Sequence, residues 1–319
     1  MIASGWRCCV VVVALAAGLV GGDVVLAQNG PAAAASASEP PERSQDDFLY
    51  IDNGKIRMGF KRSSGVGIAS FETVADGQNV INHWDRGRLV QQSYYGNVDG
   101  STWTLDGKVI PWRWNPVQGG DCRHNSPVVL DVKAGKDQLY SKTVGKNWGG
   151  GQDLHEATLE QWVRLEDDVA HVKFRLTYTG SVKHTTHSQE LPAVFVEPHY
   201  NTLVLYDGAD PWTSTPVSKS SPGWPNESRR MTENWAAYIG PDGKGVGVYV
   251  PVASELTCYR FGSGEYRRED GACSYFAPLK KFAITPGLVF DYDVYLTIGT
   301  EHDIRSRFYE IRERNLALR

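Results

Sequence analysis

The sequence lacks the short motifs by which several common enzyme classes are recognised. It has no Gly-x-Ser-x-Gly elbow, no catalytic Cys/His setting, no dinucleotide-binding fingerprint and no glycine-rich phosphate loop. Serine-hydrolase, cysteine-nucleophile and nucleotide-binding chemistries therefore have no support. An internal repeat of about 20 to 50 residues is absent as well, so a repeat architecture is not predicted.

Basic runs and compact metal-ligand motifs are also absent. The 33 Lys and Arg residues are outnumbered by 37 Asp and Glu residues, and no stripe of positive charge exists, so nucleic acid is not expected as a partner. There is no HExxH or CxxC pattern, and neither a metal nor a cofactor is predicted. Loops such as "NPVQGGD" and "NWGGGQD" offer the oxygen ligands that structural calcium takes, but such loops are not specific for it.

Charged residues are missing from one early stretch, "CCVVVVALAAGLVGG", which follows a single Arg near the N-terminus. This run and the small residues of "VLAQ" beyond it are typical of a secretory signal peptide, with cleavage after Ala27. The alternative is a retained membrane anchor, but two glycines and Asp23 shorten the run below the roughly 20 residues that a spanning helix needs. The sequence thus predicts a signal peptide at 1–27 and a secreted or periplasmic mature chain without a membrane span.

Residues 28–47 form an Ala/Ser/Pro tract without apolar periodicity, which predicts a disordered linker ahead of a folded domain at 48–319. Three of the five cysteines follow the signal peptide: Cys122, Cys258 and Cys273. An oxidising compartment favours a disulfide between Cys258 and Cys273, which flank a segment with a glycine-rich middle. Three buried reduced thiols are the alternative.

Alternation of apolar and polar residues around tight turns dominates the folded part. It occurs in "DFLYI" with "KIRMGF", "VVLDVKA" with "DQLYSKTV", "TLEQWVRL" with "VAHVKFRLTY", and "WAAYIG" with "VGVYVP". The pattern predicts an all-β fold, a large antiparallel β-sandwich of two sheets. One amphipathic helix is predicted at the C-terminus from about Glu301, with Thr300 and Asp303 as its cap and with Ile304, Phe308 and Ile311 as its apolar stripe.

The segment "HWDRGRLVQQSY", residues 83–94, concentrates aromatic, guanidinium and amide side chains. An extended strand alternates its side chains, and one face would then carry Trp84, Arg86, Arg88, Gln92 and Tyr94. Such a face can stack on a sugar ring and hold hydroxyls or a carboxylate with directional donors. The alternative is that the arginines form structural ion pairs and that the aromatics belong to the core.

A second concentration, "KHTTHSQELPAVFVEPHY" at 183–200, holds three histidines and two glutamates. His187, Glu190 and His199 are acid–base candidates, although a regular strand would put His187 and Glu190 on opposite faces. Glu233 and Trp235 lie two residues apart in "MTENWAAYIG" and share a strand face, where a carboxylate beside an indole can hold a sugar. Surface histidines and a core tryptophan are the alternatives.

Tryptophan is the residue type that most favours a carbohydrate ligand. The chain has ten, of which Trp6 lies in the predicted signal peptide, and several of the others fall in segments predicted as loops. Loop aromatics either stack on a ligand or fasten a long loop. The tryptophans in question are Trp103, Trp112, Trp114, Trp148, Trp212 and Trp224.

The order of "IDNGKIRMGF", "GIASFE" and "NVINHWDRGRLVQQSYYG" resembles the start of galactose-mutarotase-like supersandwich proteins. That superfamily includes sugar epimerases and the sandwich domains of many polysaccharide lyases and glycoside hydrolases. The likeness is close over the first third of the mature chain and continues beyond it as a rhythm of strands. The histidine-containing glycine loop of the epimerases is absent, and "HSQELPAVF" is only a loose counterpart of their second histidine segment.

The resemblance implies a secreted carbohydrate-active enzyme, a glycoside hydrolase or polysaccharide lyase, on a supersandwich of two large antiparallel sheets. A lyase needs a cation for a uronate carboxylate, here Arg86 or Arg88. It also needs a base for the C5 proton, here Tyr94, Tyr95 or His187.

A hydrolase needs two carboxylates, for which Glu190 and Glu233 are the best pair. The expected partner in either case is a glycan. Alternatives to an enzyme are a non-catalytic carbohydrate-binding protein of the cell envelope and a purely structural envelope protein. The concave face implied by the resemblance, with the flanking substrate contacts, comprises Trp84, Arg86, Arg88, Gln92, Tyr94, Tyr95, His187, Glu190, His199, Glu233 and Trp235.

Overall fold

The computed structural model describes residues 47–105, 108–262 and 271–317. The predicted signal peptide and almost all of the predicted linker lie outside these residues. Twenty strands and one α-helix follow one another in the described chain. Their bounds are β1 (Phe48–Asp52), β2 (Ile56–Lys61), β3 (Gly67–Thr73), β4 (Val90–Ser93), β5 (Val98–Leu105), β6 (Lys108–Arg113), β7 (Pro116–Val117), β8 (Val129–Ala134), β9 (Gln138–Asn147), β10 (Asp153–Glu166), β11 (Val169–Tyr178), β12 (His187–Val196), β13 (Thr202–Leu205), β14 (Ser218–Ser220), β15 (Glu227–Arg230), β16 (Trp235–Ile239), β17 (Lys244–Tyr249), β18 (Glu255–Phe261), β19 (Cys273–Phe282), β20 (Val289–Thr300) and α1 (Glu301–Ala317).

Eighteen of the strands pair into one continuous antiparallel sheet, which folds over into two layers. The first layer has the spatial order β1-β2-β3-β4-β12-β19-β18-β15. The second layer has the order β8-β9-β10-β11-β20-β17-β16-β13-β14. The short strand β7 pairs with both β4 of the first layer and β9 of the second, and so joins the two layers. A separate hairpin is formed by β5 and β6.

The main core fills the space between the two layers, because alternate residues of each strand point into it. Leu191, Val194 and Val196 of β12 enter it from the first layer, and Val294 and Leu296 of β20 enter it from the second. Burial of apolar surface stabilises such a core by about 25 cal/mol per Å². The prediction of a large antiparallel sandwich is confirmed, as are the hairpins β1–β2, β8–β9, β10–β11 and β16–β17.

The C-terminal helix is also confirmed, together with its cap. Asp303 Oδ2 accepts hydrogen bonds from the Thr300 backbone N–H at 3.0 Å and from its hydroxyl at 2.7 Å, which satisfies groups at the helix start. Ile304, Phe308 and Ile311 are buried against the outer face of the second layer. No helix within the described residues has the length and apolarity needed to cross a bilayer.

The predicted Cys258–Cys273 disulfide is wrong, since both residues are reduced thiols. Cys258 lies opposite Phe276 and points into the main core, whereas Cys273 lies opposite Phe261 and belongs to a cluster on the outer face of the first layer. The two side chains therefore point away from each other, a geometry that a disulfide cannot bridge.

Candidate functional site

The segment at 83–94 is strand only from Val90 onward. Asp85 Oδ1 accepts the backbone N–H groups of Gly87 at 2.8 Å and of Arg88 at 2.9 Å, which stabilises a turn instead of a strand. The prediction that the chain is extended from His83 is therefore wrong for residues 83–89. The side chains before Val90 do not form an alternating row.

Both arginines of this segment are held by protein groups. Arg88 is 1% exposed and donates to Asp85 Oδ2 at 2.6 Å, so an ion pair of the predicted structural kind exists there. Arg86 donates to the His124 carbonyl at 2.7 Å and to the Ser64 hydroxyl at 3.1 Å. The half-buried Trp84 lies at the same turn, where its backbone N–H donates to Asn82 Oδ1.

Along β4 the alternation holds, but Gln92 and Tyr94 face the core. Gln92 Nε2 reaches the second layer, where it donates to the Glu160 carbonyl at 2.9 Å. The Tyr94 hydroxyl donates to Gln92 Oε1 at 2.8 Å, and burial raises the pKa of this phenol. Since neighbours along a strand point to opposite faces, Ser93 points to the outer face of the first layer.

Glu190 of β12 occupies that outer face and is the centre of a buried polar cluster. It lies opposite Ser93 on β4 and opposite Leu279 on β19. The Tyr95 hydroxyl donates to its Oε1 at 3.0 Å, and the Tyr275 hydroxyl donates to the same atom at 2.5 Å. We call Tyr95, Glu190 and Tyr275 the Glu190 cluster. Oε2 of Glu190 has no hydrogen-bond partner in the described part of the chain.

Burial raises the pKa of Glu190 above its ordinary value, although hydrogen bonds from Tyr275, Ser93 and Tyr95 act in the opposite direction. Burial and the neighbouring carboxylate raise the pKa of the Tyr95 phenol well above its ordinary value. Tyr275 is affected in the same way. Burial therefore makes the protonated form of Glu190 easier to populate than that of an exposed glutamate, and a carboxyl can both donate and accept a proton.

Arg113 and His187 lie at the edge of this cluster and are only half-buried. The positive charge of the Arg113 guanidinium lowers the pKa of the Tyr95 phenol slightly. Burial raises this pKa and is the larger effect. One of its nitrogens approaches His187 Nδ1 at 3.5 Å, and His187 Nε2 lies 3.1 Å from the Thr185 hydroxyl. The cluster is thus buried, and Arg113 and His187 are half-buried polar groups near it.

The same outer face continues from Tyr275 toward Arg88. The rings of Tyr275 and Tyr259 have centroids 4.6 Å apart, and the Tyr259 phenol lies within reach of the charges of both Glu190 and Arg88. Nε of Arg88 is buried and has no hydrogen-bond partner in the described residues. A row of buried polar groups therefore crosses the first layer, with a carboxyl near one end and a guanidinium at the other.

Glu233 lies on the outer face of the second layer, where α1 packs. Its carboxylate accepts five hydrogen bonds, from the Trp212 backbone, the Trp235 indole, the Tyr309 hydroxyl and two nitrogens of Arg305. Burial alone would raise the pKa of Glu233, but these donors lower it overall, with Arg305 the largest contributor among them. Glu190 and Glu233 are on opposite outer faces of the sandwich and do not come together.

The remaining predicted residues lie elsewhere. His199 packs against Tyr200 with ring centroids 3.8 Å apart and the rings tilted by 40°, and burial lowers the pKa of His199. Trp235 packs with Glu233 beneath α1. Most of the predicted loop tryptophans are packed against protein: Trp103, Trp112 and Trp148 in one cluster, Trp114 on His184 and Trp212 on Tyr309.

A metal centre and an open cavity are two other ways in which the described residues could form a site. No three His, Cys, Asp or Glu side chains there are arranged to hold a metal ion. A cavity of 590 Å³ lies beside the loop that follows β13, and its lining includes Asp207, Arg230, Thr232, Asn234 and Ser254. No member of the Glu190 cluster lines this cavity.

Sequence reasoning missed Tyr275 and Arg113. Tyr275 is brought to Glu190 over a long stretch of chain because β19 pairs with β12, and Arg113 comes near Tyr95 at the end of β6, the second strand of the β5–β6 hairpin. The nearest signal in the sequence was the run of two tyrosines, Tyr94 and Tyr95. Which of them faces the carboxyl depends on where β4 begins.

Comparison with known proteins identifies the fold. No protein-family model and no curated protein matches the chain. Among solved structures, a galactose mutarotase-like protein from Lactobacillus casei superposes with a TM-score of 0.51 at 13% identity, covering 79% of this chain and 100% of that one. A candidate aldose 1-epimerase from Escherichia coli gives a TM-score of 0.53 at 12% identity, with 79% and 99% covered.

A galactose mutarotase related enzyme from Lactobacillus acidophilus superposes with a TM-score of 0.50 at 11% identity, covering 79% of this chain and 97% of that one. These likenesses are structural, since identity is low in every case. They agree with the resemblance drawn from the early strands. The described chain has the galactose mutarotase-like supersandwich fold.

Proposed function

Starting from the galactose mutarotase-like fold, we propose that this protein is a secreted enzyme that acts on an oligosaccharide or polysaccharide through acid–base chemistry at Glu190 and Tyr95. The observation that carries the proposal is a fully buried carboxyl with a raised pKa that accepts a phenol hydrogen bond near the half-buried Arg113 and His187. Buried groups with perturbed pKa values concentrate at functional sites. Secretion rests on the apolar N-terminal stretch.

The geometry favours a lyase over a two-carboxylate hydrolase. The hydrolase mechanism places two carboxyl groups about 5 to 9.5 Å apart around one glycosidic bond. Glu190 and Glu233 are separated by the whole sandwich, and Glu233 is saturated by five hydrogen bonds. A lyase needs one proton-transfer group and one cation instead, and the Glu190 cluster with Arg113 supplies both.

In the proposed elimination, Tyr95 takes the C5 proton of a uronate while it passes its own proton to Glu190. The bond between C4 and the glycosidic oxygen breaks, a C4–C5 double bond forms, and the proton returns through Tyr95 to the leaving oxygen. Arg113 stabilises the negative charge that develops on the uronate carboxylate. His187 lies next to Arg113 and contacts the same part of the sugar.

The test is to incubate the mature protein with neutral and uronate-containing polysaccharides and to follow both ultraviolet absorbance of unsaturated uronate and new reducing ends. We expect both signals to rise together. Reducing ends without absorbance would show a hydrolase, and binding to an affinity gel without either signal would show a carbohydrate-binding protein.

Two neighbouring phenols make the test specific. Tyr95→Phe removes the hydroxyl that bonds Glu190 and should reduce turnover by about 100-fold or more, since general acid–base groups contribute on that order. Tyr94→Phe removes a hydroxyl that faces the core and bonds Gln92, and it should leave turnover within a few-fold of the wild type. Equal losses in the two variants would contradict the assignment of Tyr95.

A further inference from the structure

Gln189, the residue before Glu190, holds the backbone of Tyr95 from both sides. Its Oε1 accepts the Tyr95 N–H at 2.7 Å, and its Nε2 donates to the Tyr95 carbonyl at 3.0 Å. Nε2 also donates to the Phe282 carbonyl at 3.3 Å. The side chain is 0% exposed, and all of its hydrogen-bonding groups except one lone pair are in use.

This contact replaces a missing strand partner. β4 ends at Ser93, two residues before Tyr95, so the sheet no longer supplies backbone partners on the β12 side. The amide of Gln189 presents one acceptor and one donor at the spacing that a neighbouring strand would offer. The Gln189 side chain thereby supplies Tyr95, which lies beyond the end of β4, with the two backbone hydrogen bonds that a paired strand would make.

The next residue along the chain is fixed as well. Gly96 donates its N–H to the Trp114 carbonyl at 2.7 Å. A Cβ at this position would lie 2.6 Å from His184 Nδ1 and 2.8 Å from the Trp114 ring, so the backbone passes directly against the stacked His184 and Trp114. The backbone of Tyr95 is therefore held at its own amides and immediately after them.

We propose that Gln189 is a positioning residue, which fixes the backbone of Tyr95 so that its phenol stays within hydrogen-bond distance of Glu190. Gln189 and Glu190 are adjacent on β12 and point to opposite faces of the strand. The Gln189 side chain bonds the backbone of Tyr95, and the Glu190 side chain bonds the hydroxyl of the same residue. This inference rests on the proposed function, because it assigns Tyr95 a role in proton transfer.

The test is Gln189→Met, which keeps the length of the side chain and removes every hydrogen bond. Gln161→Met is the matched control. Gln161 is also 0% exposed and its Nε2 donates to the Val66 carbonyl at 2.6 Å, but it contacts no member of the Glu190 cluster. We expect Gln189→Met to lower kcat by about 10- to 100-fold with KM within about two-fold, because misplacement of an acid–base group affects the chemical step.

A second readout does not need a substrate. The Tyr95 hydrogen bond lowers the pKa of Glu190, so its loss should raise that pKa. A carbon-13 NMR titration of the Glu190 carboxyl should therefore move to higher pH in Gln189→Met and in Tyr95→Phe, and stay unchanged in Gln161→Met. In Gln189→Glu the new carboxyl donates to the Tyr95 carbonyl only when protonated, so turnover relative to wild type should recover on acidification.

The outcomes separate the two proposals. If Glu190→Gln and Tyr95→Phe retain full turnover, the proposed function fails. If both variants are inactive while Gln189→Met behaves like Gln161→Met in kcat and in the titration, Gln189 is a structural residue and only this inference is overturned.

Discussion

Glu190 and Glu233 are two buried carboxyl groups on opposite outer faces of one sandwich, and they differ in what surrounds them. Glu190 is 1% exposed, and among the described residues its Oε2 has no hydrogen-bond partner and no Lys or Arg forms an ion pair with it. Glu233 is 0% exposed, accepts hydrogen bonds at both oxygens and pairs with Arg305 at 2.7 Å. The pKa of Glu190 is raised and that of Glu233 is lowered.

The difference shows that burial alone does not mark a reactive carboxyl. A buried charge that is fully paired is fixed in its ionised form and serves to hold elements together. A buried carboxyl that keeps an unsatisfied oxygen and lacks a cation stays ready to exchange a proton. Under the proposed function, the first layer carries the reactive glutamate and the second layer carries a structural one.

The largest expected effect is on turnover at Glu190. Glu190→Gln removes the proton acceptor and should lower kcat/KM by about 10²- to 10⁴-fold. The free energy of unfolding at pH 7 should not decrease by more than about 1 kcal/mol, because a neutral amide is easier to bury than a carboxylate. Steady-state kinetics and urea unfolding measure the two quantities. A stable Glu190→Gln variant with normal turnover would contradict the proposed difference in role between Glu190 and Glu233.

The next largest effect is on stability at Glu233. Arg305→Met leaves the Glu233 carboxylate buried without its cation and should lower the free energy of unfolding by about 3 to 5 kcal/mol, as measured by urea denaturation. In the double variant Glu233→Gln, Arg305→Met the loss should be smaller, since no charge is left unpaired. Equal losses in the single and double variants would show that the ion pair is unimportant.

The two glutamates should also give opposite pH dependences of stability. The pKa of Glu190 is higher folded than unfolded, so the folded state binds the proton more tightly and its contribution falls as pH rises above the unfolded value of 4.5. The pKa of Glu233 is lower folded than unfolded, so its contribution is present above 4.5 and is lost as pH falls below it.

Urea unfolding of the wild type, Glu190→Gln and Glu233→Gln from pH 3 to pH 8 checks these signs. Each carboxyl can contribute a slope of at most about 1.4 kcal/mol per pH unit. Slopes of the same sign for the two sites would contradict the assignment of different surroundings.

The smallest expected effect is at the start of α1, which packs on the Glu233 side. Thr300→Ala removes the hydroxyl that shares hydrogen bonds with Asp303 and should cost about 1 kcal/mol of stability. Turnover should be unchanged, because no residue of the Glu190 cluster touches the helix. Thermal unfolding and kinetics together test this, and a loss of turnover would show that the two faces are coupled.

Much of the fold could be predicted from local patterns. The alternation within each hairpin and the cap at Thr300 are set by neighbours in the sequence, and each was found where it was predicted. The Cys258–Cys273 disulfide could not be judged in this way. Its failure depends on which face of β18 and β19 each residue occupies, and that depends on register.

The site was harder to predict because small local shifts change its members. Asp85 turns the chain before β4, so the strand begins at Val90 and Tyr94 faces the core while Tyr95 reaches Glu190. A β-bulge in β12 after Glu190 interrupts the simple alternation there. Tyr275 comes from a strand 85 positions away, and no local pattern connects it to Glu190.

The pairing of β12 with both β4 and β19 has a consequence for the timing of folding. These three strands lie near the beginning, the middle and the end of the folded chain, so the Glu190 cluster is held by contacts of long sequence separation, which form slowly. During synthesis, Tyr95 and Glu190 leave the ribosome well before Tyr275. The first layer is thus completed around Glu190 only after β19 has been synthesised, and the proposed activity would be acquired no earlier than that.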